Sequence, residues 1–251
     1  MTIGSLFSGI GGLELGLERA GLGPVMWQCE IDADARTVLR RHWPSAELHR
    51  DVRALDAATL PHVDVICGGF PCQDLSSANV VARSGLDGKR SGLWVEYLRV
   101  VRDVRPRWVV VENVGAVWPE WVPVVRGDLH AIGYPSVPLR VSTADVGLTH
   151  HRDRVFVVAD ADREGQSLRA IHAALAGVLA ATGRDREDAR AACREAVSRD
   201  DGLPARLARL PGNSVSPAVS EVIGRAIRAV TEVRHGRGLQ LWRRGNEQRD
   251  A

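Results

Sequence analysis

Apolar runs of strand length recur through the first half of the chain, each followed by a stretch with helical spacing. Ile3 to Phe7, Val25 to Glu30, Asp64 to Cys67 and Trp108 to Glu112 are the runs. They are largely apolar rather than alternating, the pattern of strands covered on both faces. Helices are expected over Leu13 to Ala20, Ala33 to His42 and Leu93 to Val104, the last preceded by a Gly-, Ser- and charge-rich loop from Val80 to Gly92. Pro138 to Thr143 and Arg154 to Ala159 read as two further strands, an antiparallel pair joined around Val146 to Asp153. Such alternation predicts an α/β fold, a mostly parallel sheet with helices on both faces.

The pattern changes after Asp162. Leu168, Ile171, Leu175, Val178 and Leu179 fall on one helical face, Gly183 breaks the run, and a second helix is expected over Arg186 to Val197. A last helix follows Pro217 and turns Val219, Val222, Ile223, Ile227 and Val230 inward. The stretch from Arg234 to Ala251 is polar and arginine-rich and is expected to lack fixed structure. Residues 1–160 and 203–233 are thus expected to form one unit, 161–202 a small helical insertion, and 234–251 a tail.

Composition narrows the classes. With 45% hydrophobic and 25% charged residues the chain is an ordinary globular one, and no apolar run approaches a membrane span. Its start shows no leader pattern, so a cytoplasmic protein is expected. Net charge is only +2 and Lys89 is the one lysine, so bulk charge does not announce nucleic acid. Cys29, Cys67, Cys72 and Cys193 are too scattered for a disulfide framework or a paired-cysteine zinc site, and no metal is expected.

Chemistry is concentrated at the ends of the apolar runs. Gly68-Gly69-Phe70-Pro71-Cys72-Gln73 presents a thiol on a rigid turn after one strand, and Glu112-Asn113-Val114 presents a carboxyl group after another. Ligands of open α/β sheets gather at such carboxyl ends. A thiol and a carboxyl group in one crevice suit covalent catalysis with proton management. Ser8-Gly9-Ile10-Gly11-Gly12 resembles a nucleotide-binding turn, where glycine lets backbone approach a ligand. Glu30 ends the second strand, where an acidic side chain receives a ribose hydroxyl, and Asp51 stands where an adenine would be reached. An adenosine with a short charged tail fits this layout as well as a pyrophosphate does.

These residues resemble the motifs of the DNA (cytosine-5)-methyltransferases. Leu6 to Gly12 is similar to the family's cofactor motif, Gly69 to Ser76 to its catalytic-cysteine motif, and Glu112-Asn113-Val114 to its catalytic-glutamate motif. His151-Arg152-Asp153-Arg154 resembles the arginine motif that orients the target base, and Gly212-Asn213-Ser214-Val215 with Pro217 resembles the last motif. The resemblance implies a Rossmann-like S-adenosylmethionine-dependent fold that methylates C5 of cytosine in DNA, with the base flipped and bonded through C6 to Cys72. It assigns catalysis to Cys72, Glu112, Arg152 and Arg154. S-adenosylmethionine falls to Phe7, Ser8, Gly9, Ile10, Gly11, Gly12, Leu13, Glu30, Ile31, Asp51, Val52, Pro71, Asn213 and Val215. DNA contacts fall to Gln73, Ser76, Arg83, Lys89 and Arg90, on a loop able to close over flipped DNA.

Three departures stand out. Ser5 replaces the usual Asp, Thr149-His150 replaces Pro-Gln, and only Asp160 to Pro211 remains where a large target-recognition domain normally lies. An RNA cytosine-5 methyltransferase, or an accessory subunit that needs a second chain for recognition, stays open beside the DNA enzyme. A nicotinamide oxidoreductase fits the glycine loop but leaves Pro71-Cys72-Gln73 and Glu112-Asn113 unexplained. The expected partners are double-stranded DNA and a cognate restriction enzyme, with the chain a monomer or weak dimer and no membrane.

Overall fold

The computed structural model describes residues 1–71, 92–149, 152–162, 166–182 and 215–234. Seven strands make one sheet: β1 (Ile3–Leu6), β2 (Val25–Cys29), β3 (Glu47–His49), β4 (Val65–Gly68), β5 (Trp108–Val114), β6 (Ser136–Ser142) and β7 (Asp153–Asp160). In space they run β3-β2-β1-β4-β5-β7-β6. The strands β1 to β5 pair in parallel, while β7 enters antiparallel between β5 and β6. The helices are α1 (Gly12–Arg19), α2 (Ala33–His42), α3 (Gly92–Val104), α4 (Trp118–Ala131), α5 (Gln166–Thr182) and α6 (Pro217–Arg234).

The central strands are apolar on both faces because both faces are covered. Along β5, Trp108 and Val110 enter one core with Leu17 of α1, Ile171 of α5 and Ile223 of α6. The intervening Val109 and Val111 enter the other, with Trp94, Tyr97 and Val101 of α3 and Trp121 and Val125 of α4. Successive side chains of a strand point to opposite faces, which builds two layers from one valine-rich run. The α6 positions Val219, Val222, Ile223, Ile227 and Val230 are all buried, as the helical spacing predicts. Ser220 of that helix donates to the Gly12 carbonyl (3.0 Å), so late residues return to the early glycine loop.

Register places the site. Leu6 pairs with Cys29 and with Gly68, and Gly68 pairs with Val111, so β1, β2, β4 and β5 deliver their carboxyl ends to one edge. Because β7 runs the other way, its beginning reaches that same edge, with Arg154 opposite Val114.

Two elements depart from the sequence expectation. Trp118 to Ala131 is a helix although Pro123 lies inside it, and Glu47–His49 adds an edge strand beside β2. The helix expected over 186–197 lies outside the described residues, as does the tail expected over 234–251 except Arg234, which ends α6 instead. Among the described residues no helix is long and apolar enough to cross a membrane.

Candidate active site

The glycine loop leaves β1 through backbone that side chains rarely adopt. Phe7 and Gly9 both have φ 56°. Ser8 donates its N–H to the Cys29 carbonyl (3.2 Å), and its hydroxyl donates to Ser5 Oγ (2.9 Å). Among the described residues, its chain neighbours aside, no atom lies within 4 Å of where a Cβ on Gly9 would stand, so open space faces the loop there. Glu30, just past β2, accepts from the Gly9 N–H (2.7 Å) and the Asp32 N–H (2.8 Å). Beside it Ile31 leaves 60% of its surface exposed, a large apolar side chain turned to solvent at a polar edge. Asp51 caps a 3-10 turn over Val52–Ala54 by accepting from the Arg53 N–H (3.0 Å).

Open backbone at Gly9, a carboxylate at Glu30 and an exposed apolar side chain at Ile31 fit an adenosine-bearing ligand: space, a ribose acceptor and a face for a base. Leu13, Val52 and Val215 are buried.

The second half of the site forms where β4 and β5 end. Glu112 is 8% exposed, and its Oε1 meets Arg154 Nε at 2.7 Å. Burial pushes the Glu112 carboxyl up to about 7, against the pull of Arg154 and then Arg152. The same burial, together with Arg154, lowers the Arg152 guanidinium, which Glu112 partly offsets. The Arg152 N–H donates to Thr143 Oγ1 (3.0 Å) and its carbonyl accepts from the Thr143 N–H (3.1 Å), fixing the start of β7 against the end of β6.

Two residues near the end of β5 lie against the turn that leads from β4 toward Cys72. A Cβ on Gly69 would stand 2.5 Å from Glu112 Oε2, so a larger residue there would push the carboxyl group from its place. Asn113 donates from Nδ2 to the Phe70 carbonyl (3.1 Å), while its Oδ1 accepts from the Val114 N–H (2.8 Å). Phe70 packs against Trp94 and Trp121, with ring centroids 5.3 and 6.1 Å away. Pro71 is exposed at the tip of this turn.

Glu112, Arg152 and Arg154 are therefore together, and Gly9, Glu30 and Ile31 stand along the same sheet edge. Cys72, Gln73, Ser76, Arg83, Lys89, Arg90 and Asn213 lie outside the described residues. Sequence reasoning missed Thr143 as the brace of Arg152 and gave Asn113 no role in holding the cysteine turn. A polar residue beside a strand-end glutamate was the available signal for Asn113; Thr143 offered none before the strand pairing was known.

A profile of C-5 cytosine-specific DNA methylases matches residues 1–175. Among curated relatives, the Type II methyltransferase M2.BsuMI of Bacillus subtilis is 35% identical over 171 residues, covering 63% of this chain and 42% of its own length. Type II methyltransferase M.HgiBI of Herpetosiphon aurantiacus is 35% identical over 158 residues, covering 61% of this chain and 36% of its own. The chain thus spans less than half the length of these two relatives. A crystal structure described as a DNA modification methyltransferase encoded within an E. coli prophage superposes with a TM-score of 0.52 at 29% identity, over 63% of this chain and 46% of the other. The S. pombe Dnmt2 methyltransferase, 20% identical with a TM-score of 0.51 over 63% of this chain and 48% of its own, shares the fold. With a match that runs from the first strand through the antiparallel pair and into α5, the chain belongs to the C-5 cytosine-specific DNA methylase family.

Proposed function

We propose that the chain methylates C5 of cytosine in duplex DNA, with the target base turned out of the helix and held covalently at C6 by Cys72. The observation that carries this reading is that Asn113 bonds the Phe70 carbonyl while the Glu112 carboxyl group lies close against Gly69, beside the turn that leads directly into Cys72. The Gly9 loop, Glu30, Ile31 and Asp51 would hold S-adenosylmethionine, which when bound would supply an electrophilic methyl group on a sulfonium.

Cytosine C5 is a weak nucleophile, and addition of the Cys72 thiolate to C6 makes it an enamine-like carbon. Negative charge builds at N3 as the C–S bond forms. A protonated Glu112 answers it by donating a hydrogen bond to N3, and a carboxyl group held near 7 keeps much of that proton at neutral pH. Arg154, already fixed on Glu112, supports the O2 side with Arg152. After methylation, loss of the C5 proton re-forms the C5–C6 double bond and expels Cys72 as thiolate. Extruding the base costs a few kcal/mol of stacking and pairing, which contacts from Arg83, Lys89 and Arg90 to phosphates would offset.

The relatives named as Type II methyltransferases favour a restriction-linked role, with a cognate endonuclease acting on the same DNA sequence, in the cytoplasm. The short stretch over 161–202 favours a second reading, in which another chain supplies target recognition. Incubation of the chain with tritiated S-adenosylmethionine and duplex DNA tests the main reading. Methyl transfer to cytosine, abolished by Cys72→Ser, is expected. Transfer only to transfer RNA contradicts it, and transfer only after a second chain is added moves the assignment to the two-chain form.

A further inference from the structure

Helix α3 takes no part in the chemistry described so far, yet it touches the glycine loop, the turn before Cys72 and the segment after Asp51. Tyr97 stacks on Phe7 of the glycine loop with centroids 6.3 Å apart, and Trp94 packs on Phe70 of the cysteine turn. Tyr97 and Trp94 adjoin each other at 5.4 Å, so Phe7 and Phe70 are linked through one helix face. The third contact is polar. Arg99 donates from Nη2 to the Val52 carbonyl (2.8 Å) and from Nη1 to the Leu55 carbonyl (3.1 Å). Its Nε meets Glu96 at 2.7 Å, which orients the fork.

Those two carbonyls belong to the first and last residues of the 3-10 turn region that Asp51 opens. The Val52 carbonyl also accepts from the Leu55 N–H (3.3 Å), and Val52 and Leu55 are both buried in the core that α3 lines, so Arg99 adds two donors to a turn already packed against this helix. The guanidinium is a planar multi-donor suited to bridging two acceptors, which lysine cannot reproduce. Arg99 is half-buried, some 44 and 47 residues away in sequence from the carbonyls it binds.

We infer that Arg99 is a positioning residue for the cofactor: it fixes the Asp51–Leu55 segment against α3 and so sets the adenosine side of the site at a constant distance from Phe7 and from the cysteine turn. This rests on the proposed S-adenosylmethionine site and deepens it. The contribution is remote, since the guanidinium spends its donors on two backbone carbonyls and on the carboxylates of Glu96 and Asp103, not on ligand. It also makes the helix one common reference for the glycine loop, the adenosine segment and the nucleophile turn.

The test is equilibrium binding without DNA, by calorimetry, on wild type, Arg99→Met, Arg99→Lys and Arg102→Met. The probes are S-adenosylhomocysteine and 5′-methylthioadenosine, which share the adenosine half and differ in the amino-acid half. Loss of two charge-assisted hydrogen bonds predicts about ten-fold weaker binding for Arg99→Met. The loss is expected to be equal for both probes, because it falls on the adenosine side, with an intermediate loss for Arg99→Lys. Arg102, whose pairing is with exposed Asp103 alone among the described contacts, serves as the same-helix control and is expected to bind as wild type. Thermal unfolding above the assay temperature ensures that a folded variant is compared; if Arg99→Met does not fold, Arg99→Lys carries the test. Wild-type affinity in the Arg99 variants, or a loss seen only with the amino-acid-bearing probe, overturns the inference. Failure of wild type itself to bind either probe overturns the cofactor reading instead.

Discussion

At the residue scale the account turns on Glu112. A carboxyl group taken from 4.5 to about 7 by burial holds its proton in the folded state while the unfolded chain has lost its own. Below about 4.5 both states are protonated and the group is neutral toward stability. Between about 4.5 and about 7 the unfolded state binds fewer protons, so stability falls as pH rises, by on the order of 3 kcal/mol in all. Glu112→Gln removes that slope: its melting temperature relative to wild type should climb from pH 5 to pH 8, and parallel profiles would contradict the assignment. The turnover rate of wild type should decline as pH rises through about 7, because the form that donates to N3 is being lost. In Glu112→Gln turnover should fall by roughly 10²–10³ and lose that limb. The position of Glu112 at a strand end was legible in the sequence. Its closeness to Gly69 was not, because it depends on β4 and β5 being neighbours.

At the scale of elements, the central strands announced themselves, while the edge strand β3 and one helix did not. Runs such as Val109 to Val111 read as buried strand because no polar residue interrupts them, and they are buried. Trp118 to Ala131 carries Pro119, Pro123, Gly127 and several valines, all poor helix formers, so local propensity argues against the helix that forms. Tertiary packing overrides it: Trp121, Val122, Val125 and Leu129 are buried on one face against the second core. Trp121 also donates to the Val114 carbonyl (3.4 Å) and lies edge-on to Phe70. Trp121→Ala is accordingly expected to lose about 3–5 kcal/mol in denaturant titration, as buried tryptophans do. Trp118→Ala, at a position 42% exposed, should stay within about 0.5 kcal/mol of wild type. Equal effects from the two would mean that α4 does not pack as described.

At the scale of the molecule, one topological choice assembles the site. With β1 central and β4 and β5 added on one side, the glycine loop and the cysteine turn leave adjacent strands, and the glutamate leaves the next. The antiparallel entry of β7 then brings Arg154 back to the edge where Glu112 ends. The motif order was readable along the chain, but the closeness of Arg154 to Glu112 required that reversal. On the opposite face α1, α5 and α6 share one core, so the helix predicted from Leu168, Ile171 and Leu175 is built into the sheet's own packing. Its burial was legible from helical spacing; its neighbours were not, since they arrive from both ends of the sequence.

The most direct measurement is a trapping experiment on duplex DNA that carries 5-fluorocytosine, in the presence of S-adenosylmethionine. Fluorine cannot leave C5 as a proton does, so a thiol that has added to C6 stays attached. The account predicts a protein–DNA adduct that survives denaturation, maps by mass spectrometry to the peptide containing Cys72, and disappears in Cys72→Ser. An adduct on another residue, or none in a preparation that binds both DNA and cofactor, would contradict it.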